Sequence, residues 1–265
     1  MKKLKLLLIL FSLSFLAGCI DIEELIELAA DNSGKYSMSI DMTKFLEFAN
    51  TMKQDKEAKK APEKADTTIY FKDTGESFVQ LSDEEKRVFK DGYCKIFMDE
   101  ANGKMSLKMG CPFKNMNDLV IVKKDLAGMM KKLELMGKAR GKGEAESSLS
   151  DFGGEKADID LMPHINPSEK QYTFTALPGK ISFSMNDNNK LKDMAANDSI
   201  MQMMQQASML MGDMTTTTII KLPAPAKTVS NAKATLSDDK RTVTIKSIIT
   251  DLMEKPTEGE YTIEY

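Results

Sequence analysis

Residues 93–112 read YCKIFMDEANGKMSLKMGCP, two runs of alternating apolar and polar residues on either side of Asn102-Gly103. Alternation at period two marks a strand with one buried face. Asn-Gly between two such runs is the strongest local hairpin signal, because a two-residue type I′ turn needs positive φ at both central positions. With that turn Ala101 faces Lys104, Cys94 faces Cys111, Ile96 faces Met109 and Met98 faces Leu107, all three of the last on one apolar face. Counted outward from the closing pair, Cys94 and Cys111 fall on a non-hydrogen-bonded pair, where Cα atoms lie about 4.5 Å apart, a separation a disulfide tolerates. The expectation is an antiparallel hairpin closed by a Cys94 to Cys111 disulfide. Neither a Cys-x-x-Cys spacing nor a neighbouring His assigns these thiols to a metal or to redox chemistry.

Outward from the hairpin the pattern alternates between helix and strand periods. Upstream, 36–42 and 67–72 read as strands, Thr43 opens a helix with Phe45, Leu46, Phe48, Ala49 and Met52 on its apolar side, and Ser82-Asp83-Glu84-Glu85 is a capping box for a short helix. Downstream, Asn117 or Asp118 caps a helix running to Met136, with Leu119, Val122, Leu126, Met129, Met130 and Leu133 facing inward. Strands follow at 171–177, 180–185, 215–222, 233–236, 241–249 and 260–265, and a methionine-loaded helix at 190–212. The fold class is α+β, antiparallel sheet packed by amphipathic helices. Gly34-Lys-Tyr-Ser-Met-Ser-Ile-Asp41 resembles Gly179-Lys-Ile-Ser-Phe-Ser-Met-Asn186. That likeness leaves open two arrangements, a single domain or two related halves at 34–136 and 171–265 joined by a flexible Gly, Lys, Glu, Ser and Pro-rich connection at 137–170.

The first 19 residues, MKKLKLLLILFSLSFLAGC, carry a different message. Lys2, Lys3 and Lys5 precede an apolar core too short to span a membrane stably, followed by a small-residue cleavage site. Leu16-Ala17-Gly18-Cys19 resembles the lipobox of bacterial lipoproteins. The resemblance implies that residues 1–18 are removed as a signal peptide, that Cys19 becomes the lipid-bearing N-terminus, and that the protein is anchored in the bacterial cell envelope. The acid cluster Asp21, Glu23, Glu24 and Glu27 behind it reads either as a solvated tether over 19–33 or as a short amphipathic helix. It also resembles the acidic tether signals of surface lipoproteins of the Bacteroidota, which implies an outer-membrane location.

Removing three of 37 basic residues and none of 40 acidic ones leaves the mature chain acidic, 34 against 40, which gives no basis for nucleic acid as partner. The membrane partner is reached through Cys19 alone. The segment with Leu222-Pro-Ala-Pro-Ala-Lys227, Ser230-Asn231 and Thr242-Val-Thr-Ile-Lys246 resembles the C-terminal module of LppM-like lipoproteins, a group linked to lipid or glycolipid binding, although Ala stands where that pattern has Gly and its Trp is missing.

No catalytic signature is present. His164 is alone, the only His in the chain, and no Gly-x-Ser-x-Gly, His-Glu-x-x-His or phosphate-binding loop occurs. Met201, Met203, Met204, Met209, Met211 and Met214 offer thioethers suited to Cu(I), but their helical spacing reads as core packing. No catalytic residue, metal or cofactor is expected. The function expected is a non-enzymatic binding or interaction module for an apolar ligand, a lipid or a protein, against two alternatives: a motif-less envelope hydrolase and a structural assembly partner.

Overall fold

The computed structural model describes residues 21–44, 64–133, 135, 172–186 and 212–265. They form twelve strands in two sheets. The larger has the order β10-β11-β8-β1-β2-β5-β4-β3, with β1 Asp21–Leu28, β2 Gly34–Asp41, β3 Lys64–Tyr70, β4 Tyr93–Asp99, β5 Lys104–Phe113, β8 Thr215–Lys221, β10 Ala234–Leu236 and β11 Thr242–Ile248. The smaller runs β6-β7-β12-β9, with β6 Tyr172–Leu177, β7 Lys180–Met185, β9 Thr228–Val229 and β12 Tyr261–Glu264. Four α-helices are described, α1 Glu76–Val79, α2 Asp83–Phe89, α3 Met116–Lys132 and α4 Ile249–Glu254. The α+β class therefore holds, and every strand pairing is antiparallel except that of β1 with β8.

The acid-rich segment at 21–28 is neither tether nor helix. Residues 21–28 are β1, a central strand, paired antiparallel with β2 and parallel with β8. Ile22, Ile26 and Leu28 alternate into the core while Asp21 and Glu23 stay exposed, the period-two pattern of a strand. Because β1 links β2 to β8, the larger sheet runs without a break through strands from both proposed halves. The two similar stretches beginning at Gly34 and Gly179 fall in different sheets.

The hairpin forms, but in another register. Asp99 pairs with Lys104, so Cys94 faces Met109, Ile96 faces Leu107 and Met98 faces Met105. The Asp99 carboxylate accepts hydrogen bonds from the Asn102 backbone N–H at 3.3 Å and from Asn102 Nδ2 at 3.1 Å. This local lock winds Glu100–Asn102 into a 3-10 turn and leaves only Gly103 at positive φ, +60°, so the two-residue turn is replaced by a four-residue loop. Cys111 then lies diagonal to Cys94. Diagonal neighbours are about 7 Å apart, against roughly 3.8 Å between the Cβ atoms of a disulfide. The expected disulfide is accordingly replaced by two free, fully buried thiols.

Helix α2 opens on the expected capping box at Ser82 and Glu85. Helix α3 is capped by Asn115, not by Asn117 or Asp118: the Asn115 side chain accepts the Asp118 N–H at 2.9 Å. It packs on β2 and β5 of the larger sheet and on β6 of the smaller one. Its inward stripe of Leu119, Val122, Leu126, Met129 and Leu133 is buried as expected. The core is one continuous cluster that includes residues of both sheets, such as Ile26, Met109, Leu119, Ile181, Ile220 and Ile263.

Candidate functional site

Two charged residues lie where the apolar pattern calls for hydrophobes. Glu24 sits between Ile22 and Ile26 on the core side of β1, and Lys123 sits among Leu119, Val122 and Leu126 on α3. Their side chains are 14% and 11% exposed and meet each other in a salt bridge. Tyr36 Oη on β2 donates to Glu24 Oε1 at 2.7 Å, and Thr218 Oγ1 on β8 donates to Glu24 Oε2 at 3.2 Å. Three strands and a helix therefore converge on one carboxylate. Burial pushes the Glu24 carboxyl upward, but the Lys123 charge and the three hydrogen bonds outweigh it and hold its pKa below the ordinary value.

The smaller sheet closes the cluster with rings. Lys123 Nζ stands 5.1 Å from the ring centroids of Phe174 and Phe183 and 5.8 Å from that of Tyr36. Phe183 is stacked between Tyr172, at 4.7 Å, and Tyr261, at 5.6 Å. The ammonium is thus neutralised by Glu24 and faced by three aromatic rings, an arrangement that favours a desolvated cation. One polar atom is left over. Among the described residues Tyr261 Oη is buried without a hydrogen-bond partner, and burial together with the nearby Glu24 charge drives its pKa well up.

A second buried carboxylate ties α2 to α3. Asp118, 4% exposed at its side chain, accepts from Arg87 Nη2 at 2.8 Å and from the Lys114 N–H at 3.4 Å. In both clusters each acid is occupied by a base, which suits them to holding elements together more than to moving protons.

The cysteines named from sequence face the core but not each other. Cys111 Sγ lies 3.4 Å from Val88 O. Burial pushes both thiols up to about 12, with the Asp91 and Asp118 charges adding to the effect at Cys111. Cys19, His164 and the methionine-rich stretch 190–211 lie outside the described residues, as does the connection 137–170. Among the described residues no cluster of three His, Cys, Asp or Glu side chains could hold a metal, and no helix is long and apolar enough to cross a membrane. The sequence does not pair Glu24 with Lys123, because 21–28 reads as a solvated tether or an amphipathic helix and the contact of β1 with α3 is set by distant parts of the chain. The readable signal was a Glu at the centre of the alternating Ile22, Ile26 and Leu28, and a Lys four residues after Leu119 and three before Leu126.

No family model and no curated protein matches this chain. Among solved structures, the folded domain of the LppM protein of Mycobacterium tuberculosis is similar at a TM-score of 0.36 and 9% identity, over 94% of this chain and 91% of that one. That is a weak overall likeness, and no residue role is carried over from it.

Proposed function

We propose that this protein is a lipid-anchored component of the bacterial cell envelope, held in the outer membrane through acylated Cys19, and that it works as a non-enzymatic interaction module for a protein or apolar partner. The observation that carries the reading is Leu16-Ala17-Gly18-Cys19 following a positively charged apolar leader. The non-enzymatic part is supported by the buried charge cluster, where Glu24 is occupied by Lys123, Tyr36 and Thr218. A base or nucleophile in service would need a free position facing a reactant.

The test is metabolic labelling with a fatty-acid analogue in cells expressing the wild type and Cys19→Ala. The wild type takes up label and fractionates with membranes; the variant stays unlabelled and is released into the soluble fraction. Equal labelling of both chains would refute the anchor.

A further inference from the structure

Strand β1 begins at Asp21, two residues after Cys19. Two residues of fully extended chain reach at most about 7 Å, so an acyl group on Cys19 is joined to the central strand of an eight-stranded sheet with almost no slack. Anchors of flexible composition let a domain tumble on the membrane, because a random-coil linker widens with its length. This chain has no room for such a linker.

From this we infer a fixed orientation: the edge of the larger sheet at the Asp21 end lies against the bilayer surface, and the opposite edge points away from it. The inference rests on the lipid-anchor reading and adds the surface involved. The register identifies that edge. Asp21 lies level with Asp41 and Thr215, Asp41 with Ser106, and Thr215 with Ile248. The β4–β5 hairpin continues two positions further, to Asp99 and Lys104, and ends in the loop at 100–103. Helix α4 starts at the same edge, directly after Ile248. At the far edge lie the β1–β2 turn at 29–33, stabilised by Asp31 accepting from Ser33, and the Ser237 to Lys240 turn. From Asp99 to the level of Leu28 is nine strand positions, roughly 30 Å.

Among the described residues the near edge is mixed in charge: Asp21, Asp41, Asp99, Asp213 and Asp251 share it with Lys44, Lys64, Lys104 and Lys255, not the uniformly basic patch that anionic headgroups attract. Apposition is therefore imposed by the covalent anchor, and raised salt should not release it. The far edge is the one turned away from the bilayer.

Single reporter cysteines decide this on the acylated full chain, since Cys94 and Cys111 are buried and inert in the folded state. Ala101→Cys, in the exposed hairpin loop, and Ala30→Cys, in the exposed β1–β2 turn, are each labelled with a fluorophore. The proteins are then placed in phosphatidylethanolamine and phosphatidylglycerol vesicles carrying a headgroup quencher. The label at position 101 should lose most of its emission and the label at position 30 should keep most of its own. Inserting a Gly-Ser linker of about ten residues between Ile20 and Asp21 should bring the two readings together. Equal quenching in the uninserted protein, or stronger quenching at position 30, would overturn the orientation. If fatty-acid labelling shows Cys19 acylated while the two positions quench alike, the orientation alone falls; if Cys19 is not acylated, the anchor reading falls and takes the orientation with it.

Discussion

Lys123→Met isolates the buried charge pair. Met keeps the length and apolar stem of the side chain, is as good a helix former as Lys, and can lie against the rings of Phe174 and Phe183. What it removes is the positive charge that offsets Glu24. Since Glu24 is only 14% exposed, an unpaired carboxylate remains in the core, and breaking a buried pair in this way costs about 3–5 kcal/mol at neutral pH. The pH dependence also changes sign. In the wild type the Glu24 pKa is lowered from 4.5, so its contribution to stability is complete above that value and is lost as pH falls through the folded-state pKa. In the variant only the Tyr36 and Thr218 hydrogen bonds still oppose burial, so the folded-state pKa moves upward, and the expected outcome is that it passes the unfolded value, the folded form gaining on acidification and weakening as pH rises through the shifted value. Urea unfolding followed by circular dichroism between pH 4 and 8 measures both. Adding Glu24→Gln to the variant removes the second charge and keeps an acceptor for Tyr36, so it should recover most of the loss, a non-additive pair. A single variant within about 1 kcal/mol of wild type, with an unchanged pH profile, would refute the pair as a structural element.

Three further outcomes follow from particular contacts. A Cβ on Gly34 would stand 1.9 Å from Glu27 O and 2.6 Å from Phe113 Cζ; Gly34→Ala should therefore separate the β1–β2 turn and cost more than about 2 kcal/mol in thermal or urea unfolding. Tyr261→Phe removes a buried hydroxyl with no partner among the described residues and should leave stability unchanged or raise it by up to about 1 kcal/mol; a loss of 2 kcal/mol or more would show that the hydroxyl is bonded. Intact mass after iodoacetamide treatment without reductant should show neither Cys94 nor Cys111 modified in the native protein and both modified once it is unfolded, as expected of free thiols raised to about 12 by burial. A species resistant to alkylation when unfolded but modified after reduction would restore the disulfide.

The elements that were legible in sequence are those whose information is local. The capping box at Ser82, the inward stripe of α3 and the alternation in β2, β4, β5 and β11 each follow from a few neighbouring residues, and the structure places the capping box and these strands within a residue or two of expectation, while α3 ends at Lys132 and not at Met136. What was not legible depends on distant partners or on competition between two local devices. The acids of 21–28 look like a solvated segment until β2 and β8 flank them, because a central strand is defined by neighbours that sequence spacing does not announce. At the hairpin, Asn102-Gly103 argued for a tight turn, while Asp99, three residues earlier, captured Asn102 and moved the register by two. The period of two kept the same residues on the core face, so the buried set was right and the pairing of the cysteines was not.

The parallel seam between β1 and β8 bears on how the chain is made. Lys221 and Glu27, joined across it at 2.8 Å, are 194 residues apart. A chain emerging N-terminus first completes the β1–β2 hairpin early, yet the other side of β1 stays unpaired until Thr215–Lys221 has appeared. Throughout that interval one edge of β1 is open to a neighbouring chain. Slow, late closure is the cost of placing β1 at the centre of the sheet, and it makes the yield of this protein sensitive to concentration and to holding factors during synthesis, well before its final stability matters.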